Sequence, residues 1–222
     1  MYKILLIDEE KETFDDFRDY VENSASNKNL DIITIFPMQE LETMVEHIIK
    51  VNPHALITDF VLNEIKTDIG YNVPYNGVEL VEELLKIRFG FPCFVLTSFD
   101  DLAVNASEDV NVVYVKNILH NNKEDSKARV KFLDRVIKQI EHYQTKIKSA
   151  EEELIELIEL RNSGKANIVK EKRLIELDTF LESIIDRRNS IPADFKKLSN
   201  DNRLNKLLSK IDKILEKTDD GP

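Results

Sequence analysis

The stretch Ala55-Leu56-Ile57-Thr58-Asp59 is an apolar run that ends in a carboxylate. A run this short and this apolar is typical of a strand that is buried on both faces of a sheet. The closing aspartate then stands at the carboxyl end of the strand, which is where open parallel sheets bind their ligands. The neighbouring segments decide whether such a sheet exists.

Four further segments in the first 120 residues have the same strand-like character. Apolar residues at helical spacing lie between them, for example Phe14, Phe17 and Val21. Pro37 is predicted to begin the second helix, because its missing N–H is harmless in a first turn, and Pro53 ends that helix. Strands that alternate with helices predict an α/β fold with a doubly wound, five-stranded parallel sheet. The four segments are residues 2–7, 31–36, 94–97 and 112–115.

Composition and charge restrict the class of protein. The chain has 222 residues, of which 42% are hydrophobic and 33% charged, as expected of a helix-rich globular protein. No segment approaches the about 20 apolar residues of a membrane span, and the first residues predict a strand rather than a signal peptide. Cys93 is the single cysteine, so no internal disulfide forms and a cytoplasmic location is predicted. Residues 1–120 carry 9 basic and 22 acidic side chains, which disfavours nucleic acid as a partner of this half.

From about Ser126 the sequence has a helical pattern with heptad spacing. A long helix is predicted up to Asn162-Ser163-Gly164, followed by helices near residues 168–185 and 204–215. We therefore predict two domains, residues 1–122 and 123–222, the second being an α-helical hairpin or small bundle. Packing within the chain is favoured, and a homodimer contact through the heptads is left open. The two apolar rows are Ile140, Ile147 and Leu154, and Val136, Tyr143, Ala150 and Leu157.

Polar residues follow four of the predicted strands, where a doubly wound sheet brings them into one crevice. Clustered carboxylates repel one another unless a divalent cation neutralises them, and Mg²⁺ prefers such oxygen ligands. With Mg²⁺ bound, Asp59 can attack a phosphorus atom in line. Lys116 would then pair with one phosphoryl oxygen, and the Thr97 hydroxyl would donate to another. The four features are Asp8-Glu9, Asp59, Thr97 and Lys116.

Residues 1–120 resemble the receiver domain of bacterial two-component response regulators, which has a flavodoxin-like fold. The matching segments are Ile4-Leu5-Leu6-Ile7-Asp8-Glu9-Glu10, Leu56-Ile57-Thr58-Asp59, Gly77-Val78-Glu79-Leu80, Val95-Leu96-Thr97-Ser98 and Val115-Lys116. The resemblance implies a phosphoacceptor, a metal site and a switch. In that scheme Asp59 accepts the phosphoryl group, Asp8 and Glu9 are the acidic pair, Val61 offers its backbone carbonyl to the metal, Thr97 is the switch hydroxyl and Lys116 binds the phosphoryl group.

The chain departs from the family's pattern at several places. Glu9 replaces the more usual second aspartate, and its longer side chain still reaches a metal. Asn117 stands where a proline usually follows the lysine. The loop of residues 63–76 is longer than the family's short turn. It either covers the crevice, carries a partner contact or is a neutral insertion.

The resemblance implies a signalling protein rather than an enzyme. A partner histidine kinase or another phosphodonor would phosphorylate Asp59 with Mg²⁺, and this would control the packing or partner binding of the helical tail. The tail lacks a grouped nucleophile, base and orienting residue. It also lacks a helix-turn-helix with a basic reading helix, so DNA is not expected as a partner. The alternative is a pseudo-receiver scaffold that mediates constitutive protein–protein assembly without phosphorylation. Two departures motivate it: Asn117, and the stretch of residues 100–111, which leaves room for only a short fourth helix.

Overall fold

A computed structural model describes residues 1–24, 30–62, 68–97, 113–115, 126–196 and 201–215. The chain divides into two compact units, which are residues 1–84 with 92–140, and residues 85–91 with 141–222. The predicted domain boundary after residue 122 lies outside the described residues. Within the part of the chain that the structure describes, no helix combines the length and apolar character needed to cross a membrane.

The first unit contains a five-stranded parallel sheet in the order β2-β1-β3-β4-β5. This is the flavodoxin-like order of a doubly wound sheet. The structure therefore confirms the predicted α/β fold class. The strands are β1 Tyr2–Ile7, β2 Leu30–Ile35, β3 Ala55–Asp59, β4 Cys93–Thr97 and β5 Val113–Val115.

Three helices of the connections are described: α1 Lys11–Glu22, α2 Leu41–Val51 and α3 Gly77–Ile87. The prediction that the second helix begins at Pro37 is wrong, because α2 begins four residues later. The carbonyl oxygens of Pro37 and Met38 accept hydrogen bonds from tyrosine side chains of the 63–76 loop instead. Glu40, directly before α2, keeps an extended backbone.

The C-terminal region that the structure describes is helical, as predicted. Its elements are the long helix α4 Ser126–Asn162, α5 Ile168–Asp186, a 3₁₀ turn Arg187–Asn189, the short helix α6 Ala193–Lys196 and α7 Asp201–Leu215. The predicted heptad rows of α4 are buried within the chain except for Tyr143, which is half-buried. Val136 and Ile140 belong to the core of the first unit, whereas Ile147 and Leu154 belong to the core of the second.

Candidate functional site

Three carboxylates meet at the carboxyl edge of the sheet. Asp8 and Glu9 directly follow β1, and Asp59 is the last residue of β3. Because Ile7 pairs with Thr58 in the β1–β3 register, Asp8 and Asp59 occupy the next positions on neighbouring strands. One carboxylate oxygen from each residue lies within 4.8 Å of the others. The side chains are almost completely buried, with exposed fractions of 0%, 2% and 4%.

A cluster of buried carboxylates is costly without a counter-charge. Removing an ionised carboxylate from water costs free energy, and like charges at this separation add mutual repulsion. A divalent cation offsets both terms, and a donor set made only of carboxylate oxygens suits Mg²⁺ better than the softer metals. Asp8, Glu9 and Asp59 therefore fit a magnesium ion.

The backbone directly after Asp59 is fixed by two hydrogen bonds of Phe60. The Phe60 amide donates to the Leu96 carbonyl at 2.7 Å, and the Gly77 amide donates to the Phe60 carbonyl at 2.9 Å. A Cβ atom at Gly77 would lie 1.9 Å from the carbonyl oxygen of Asp59. Only glycine allows the start of α3 to come this close to the backbone of Asp59.

A capping box fixes the beginning of α3 beside this contact. The Asn76 side-chain oxygen accepts from the amides of Val78 and Glu79, at 2.9 and 3.0 Å. The Glu79 carboxylate in turn accepts from the Asn76 amide at 2.8 Å. Such reciprocal bonds satisfy helix amides that would otherwise lack a partner. They hold Gly77 against the strand that carries Asp59.

The structure describes two of the three other predicted site residues, Thr97 and Val61, and does not describe the third, Lys116. Thr97 is buried at the end of β4, one position beyond Leu96, which pairs with Asp59. Val61 is half-buried two residues after Asp59, and the role of its carbonyl as a metal ligand stays a prediction. Lys116 lies outside the described residues, so its role also stays a prediction.

The loop after β3 contains a segment whose contacts sequence analysis did not predict. We call residues 68–75 the strap. Its Asp68, Tyr71 and Tyr75 side chains bind the backbone after β1 and after β2. The sequence signal for these contacts was the presence of two tyrosines in a loop that is otherwise rich in turn-forming residues. A tyrosine can pack through its aromatic ring and form a hydrogen bond through its hydroxyl at the same time.

Comparison with known proteins gives structural neighbours only. No protein-family profile matches the chain, and no curated protein matches it. Among solved structures, the two-component response regulator RcsB in a DNA complex aligns with a TM-score of 0.41 and 14% identity, over 94% of this chain and 98% of that one. RcsB from Salmonella enterica serovar Typhimurium, bound to the promoter P1flhDC with the phosphomimetic BeF₃⁻, aligns with a TM-score of 0.41 and 15% identity, over 95% and 98%. RcsB from Salmonella typhimurium in a further structure aligns with a TM-score of 0.42 and 13% identity, over 98% of this chain and 89% of that one.

These neighbours contradict one prediction. The expectation that DNA is not a partner is wrong as a general exclusion, because response regulators bound to DNA are among the matching structures. We therefore withdraw that exclusion. The sheet order gives the first unit a flavodoxin-like α/β fold, and the acidic cluster at its carboxyl edge is consistent with a receiver-like fold followed by a helical part.

Proposed function

We propose that the chain is a cytoplasmic signalling protein of the response-regulator type, phosphorylated on Asp59 with Mg²⁺ by a histidine kinase or another phosphodonor. One observation carries this proposal. Asp8, Glu9 and Asp59 form a buried cluster at the carboxyl edge of a sheet with the strand order 2-1-3-4-5. Open α/β sheets bind their ligands at this edge.

The proposed reaction is a transfer of one phosphoryl group. A carboxylate oxygen of Asp59 forms a bond to phosphorus, and the bond between phosphorus and the donor breaks, with its electron pair leaving on the donor. Bound Mg²⁺ supplies charge neutralisation for the transferred group. Asp8 and Glu9 hold the ion, Thr97 donates a hydrogen bond to a phosphoryl oxygen, and Lys116 pairs with another.

The helical unit is proposed to carry the output, through contact with a protein partner. Several large apolar side chains of this unit are exposed, including Ile168 at 87%, Val169 at 74% and Phe195 at 71%. Phe89 also lines an open groove of about 590 Å³ along α5. Exposed apolar surface of this kind often marks a protein interaction site.

Intact-mass measurement after incubation with a small phosphodonor tests the phosphoacceptor. Wild-type protein with Mg²⁺ should gain the mass of one phosphoryl group, and Asp59→Asn should gain none. Chelation of Mg²⁺ should also abolish the gain. Asp19→Asn, which changes an exposed carboxylate of α1, is the matched control and should behave as the wild type.

The same experiment decides between the proposal and the scaffold alternative. A folded wild type that gains no mass, with a small donor and then with a histidine kinase, contradicts the phosphorylation proposal and favours constitutive assembly. Because DNA is no longer excluded, both the phosphorylated and the unmodified protein should be titrated with duplex DNA at low and high salt. Binding through phosphate contacts would weaken steeply as salt rises.

A further inference from the structure

We propose that Asp68, Tyr71 and Tyr75 are positioning residues, which keep the strap closed beside the acidic cluster and so exclude water from Asp59. This inference rests on the proposed function, because its consequence is a longer lifetime of the phosphoryl group on Asp59. Of the roles left open for the 63–76 loop, the inference assigns that of covering the crevice to the strap, residues 68–75.

The strap is joined to the phosphoacceptor at its C-terminal end. Residues 76 and 77 follow it directly, and the Gly77 amide binds the Phe60 carbonyl at 2.9 Å. The strap therefore ends beside the backbone that carries Asp59. Val73 in its middle is completely buried, so the segment packs against the first unit rather than projecting from it.

One anchor of the strap lies on the connection that carries the acidic pair. The Asp68 carboxylate accepts a hydrogen bond from the Lys11 amide at 3.0 Å. The preceding amide, that of Glu10, donates to the Asp8 carboxylate at 2.9 Å. The strap and a predicted metal ligand thus bind consecutive amides, and release of Asp68 would loosen the same turn that orients Asp8.

Two more anchors lie on the connection after β2. The Tyr71 hydroxyl donates to the Pro37 carbonyl at 2.5 Å, and the Tyr75 hydroxyl donates to the Met38 carbonyl at 2.6 Å. The Tyr75 side chain is only 3% exposed, and this burial raises its pKa well above the usual value, so it remains a donor at physiological pH. Together with the bond to Lys11, these contacts extend the strap across the carboxyl ends of β1, β2 and β3.

This placement affects the reverse of the proposed reaction. Spontaneous loss of the phosphoryl group requires a water molecule to attack phosphorus, and the water must reach the buried carboxylates. With the strap in place, Asp8, Glu9 and Asp59 are all at most 4% exposed. Removal of the tyrosine hydroxyls takes away both bonds to the β2 connection while it leaves the aromatic rings, and so favours opening of the cover.

The decisive measurement is the lifetime of the phosphoryl group. The double variant Tyr71→Phe/Tyr75→Phe and the wild type are phosphorylated with a small donor and Mg²⁺, separated from the donor, and followed by intact mass. We expect the double variant to lose the group at least about threefold faster, since it lacks two hydrogen bonds of the strap. Equal rates in protein of unchanged melting temperature would overturn the inference.

Control variants separate a local effect from a general loss of structure. Tyr143→Phe removes the hydroxyl of a half-buried tyrosine in the second unit and should leave the lifetime unchanged. If the double variant does not fold, Tyr71→Phe alone is used, because Tyr71 is exposed and its ring tolerates the change. A lifetime of Tyr71→Phe equal to that of the wild type then counts against the strap. Asp68→Ala, which removes the acceptor of the Lys11 amide, tests the third anchor in the same way.

A second readout distinguishes failure of this inference from failure of the proposed function. If the wild type takes up no phosphoryl group, the proposed function fails, and the cover is tested with Mn²⁺, which accepts the same oxygen ligands. Relaxation of water protons by bound Mn²⁺ should be stronger in the double variant than in the wild type, because more water reaches the ion. Equal relaxation would show that the strap does not limit access.

Discussion

Gly77 occupies a position where a single methyl group would collide with the backbone of Asp59. The clash concerns space and not conformation, because Gly77 is not among the glycines with positive φ. Gly70 is the opposite case, since its φ is +67° and a Cβ atom would meet nothing within 4 Å. Together the two glycines allow the effects of steric crowding and backbone strain to be measured separately.

We predict that Gly77→Ala lowers the free energy of unfolding by about 3 kcal/mol, within the range found for overpacked sites, because the neighbouring atom belongs to the backbone and cannot rotate away. Gly70→Ala should cost about 1 kcal/mol, the usual cost of a left-handed conformation. Urea denaturation measures both values. A cost for Gly77→Ala no greater than that for Gly70→Ala would mean that the start of α3 can move away from Asp59 without penalty.

The acidic residues of the site could be located from the sequence, but the residues that fix them could not. Asp8 and Asp59 were recognisable because each closes an apolar strand, and parallel strands bring such positions to one edge. The hydroxyl bonds of Tyr71 and Tyr75 join residues 34 and 37 positions apart. Local spacing does not indicate such a pairing, so the partners of the two tyrosines could not be predicted.

At the level of elements, the four-residue helix α6 depends on a buried charge network. The Lys196 ammonium is fully buried and lies 2.7 Å from the Glu182 carboxylate of α5 and 3.0 Å from the Thr179 hydroxyl. Arg203 of α7 binds the same Glu182 at 2.6 Å and also Asp178. So short a helix is not stable alone. Its attachment to α5 therefore relies on Lys196.

We predict that Lys196→Met destabilises the chain by about 3 kcal/mol, because it leaves buried carboxylates with less compensating charge. Arg173→Met is the matched control. Arg173 pairs with Glu153 at 2.7 Å, but both side chains are more than 40% exposed, and such pairs contribute at most about 1 kcal/mol. Chemical denaturation of the two variants gives the comparison. Equal losses would show that the buried network adds no stability beyond that of an exposed pair.

The start of α2 shows how tertiary contacts override a local signal. Proline is favoured in a first helical turn, and on that basis Pro37 was expected to begin the helix. In the structure the carbonyls of Pro37 and Met38 instead accept hydrogen bonds from the strap, and α2 begins at Leu41. The helix itself was predictable from its apolar spacing. Its first residue was not, because that depends on a distant loop.

At the level of the whole molecule, alternation of strands and helices was sufficient to predict the parallel sheet. A pattern of continuously apolar strands fits few arrangements once right-handed crossovers are required. The heptads of α4 were less informative, because the same spacing suits a coiled coil between chains and packing within one chain. Val136, Ile140, Ile147 and Leu154 are buried in the cores of the two units, so these residues pack within one chain.

The charge of the acidic cluster leads to a prediction about the stability of the whole chain. Asp59→Asn removes one of three buried negative charges, so in the presence of a chelator we expect it to melt at a higher temperature than the wild type. Saturating Mg²⁺ should reverse this order, because the wild type has the more complete ligand set. At a hundred times its dissociation constant, the ion would stabilise the wild type by about 2.7 kcal/mol, which corresponds to roughly 5–10 °C for a chain of this size.

Thermal melts with chelator and with Mg²⁺ measure this reversal. Asp19→Asn, which removes an exposed carboxylate of α1, should follow the wild type under both conditions. Asp59→Asn has two opposite effects. The lost charge relieves repulsion among the carboxylates when no ion is bound, and it weakens Mg²⁺ binding when the ion is available. Equal shifts of the wild type and Asp59→Asn on adding Mg²⁺ would place the ion elsewhere on this acidic chain, and the phosphoacceptor proposal would lose its metal.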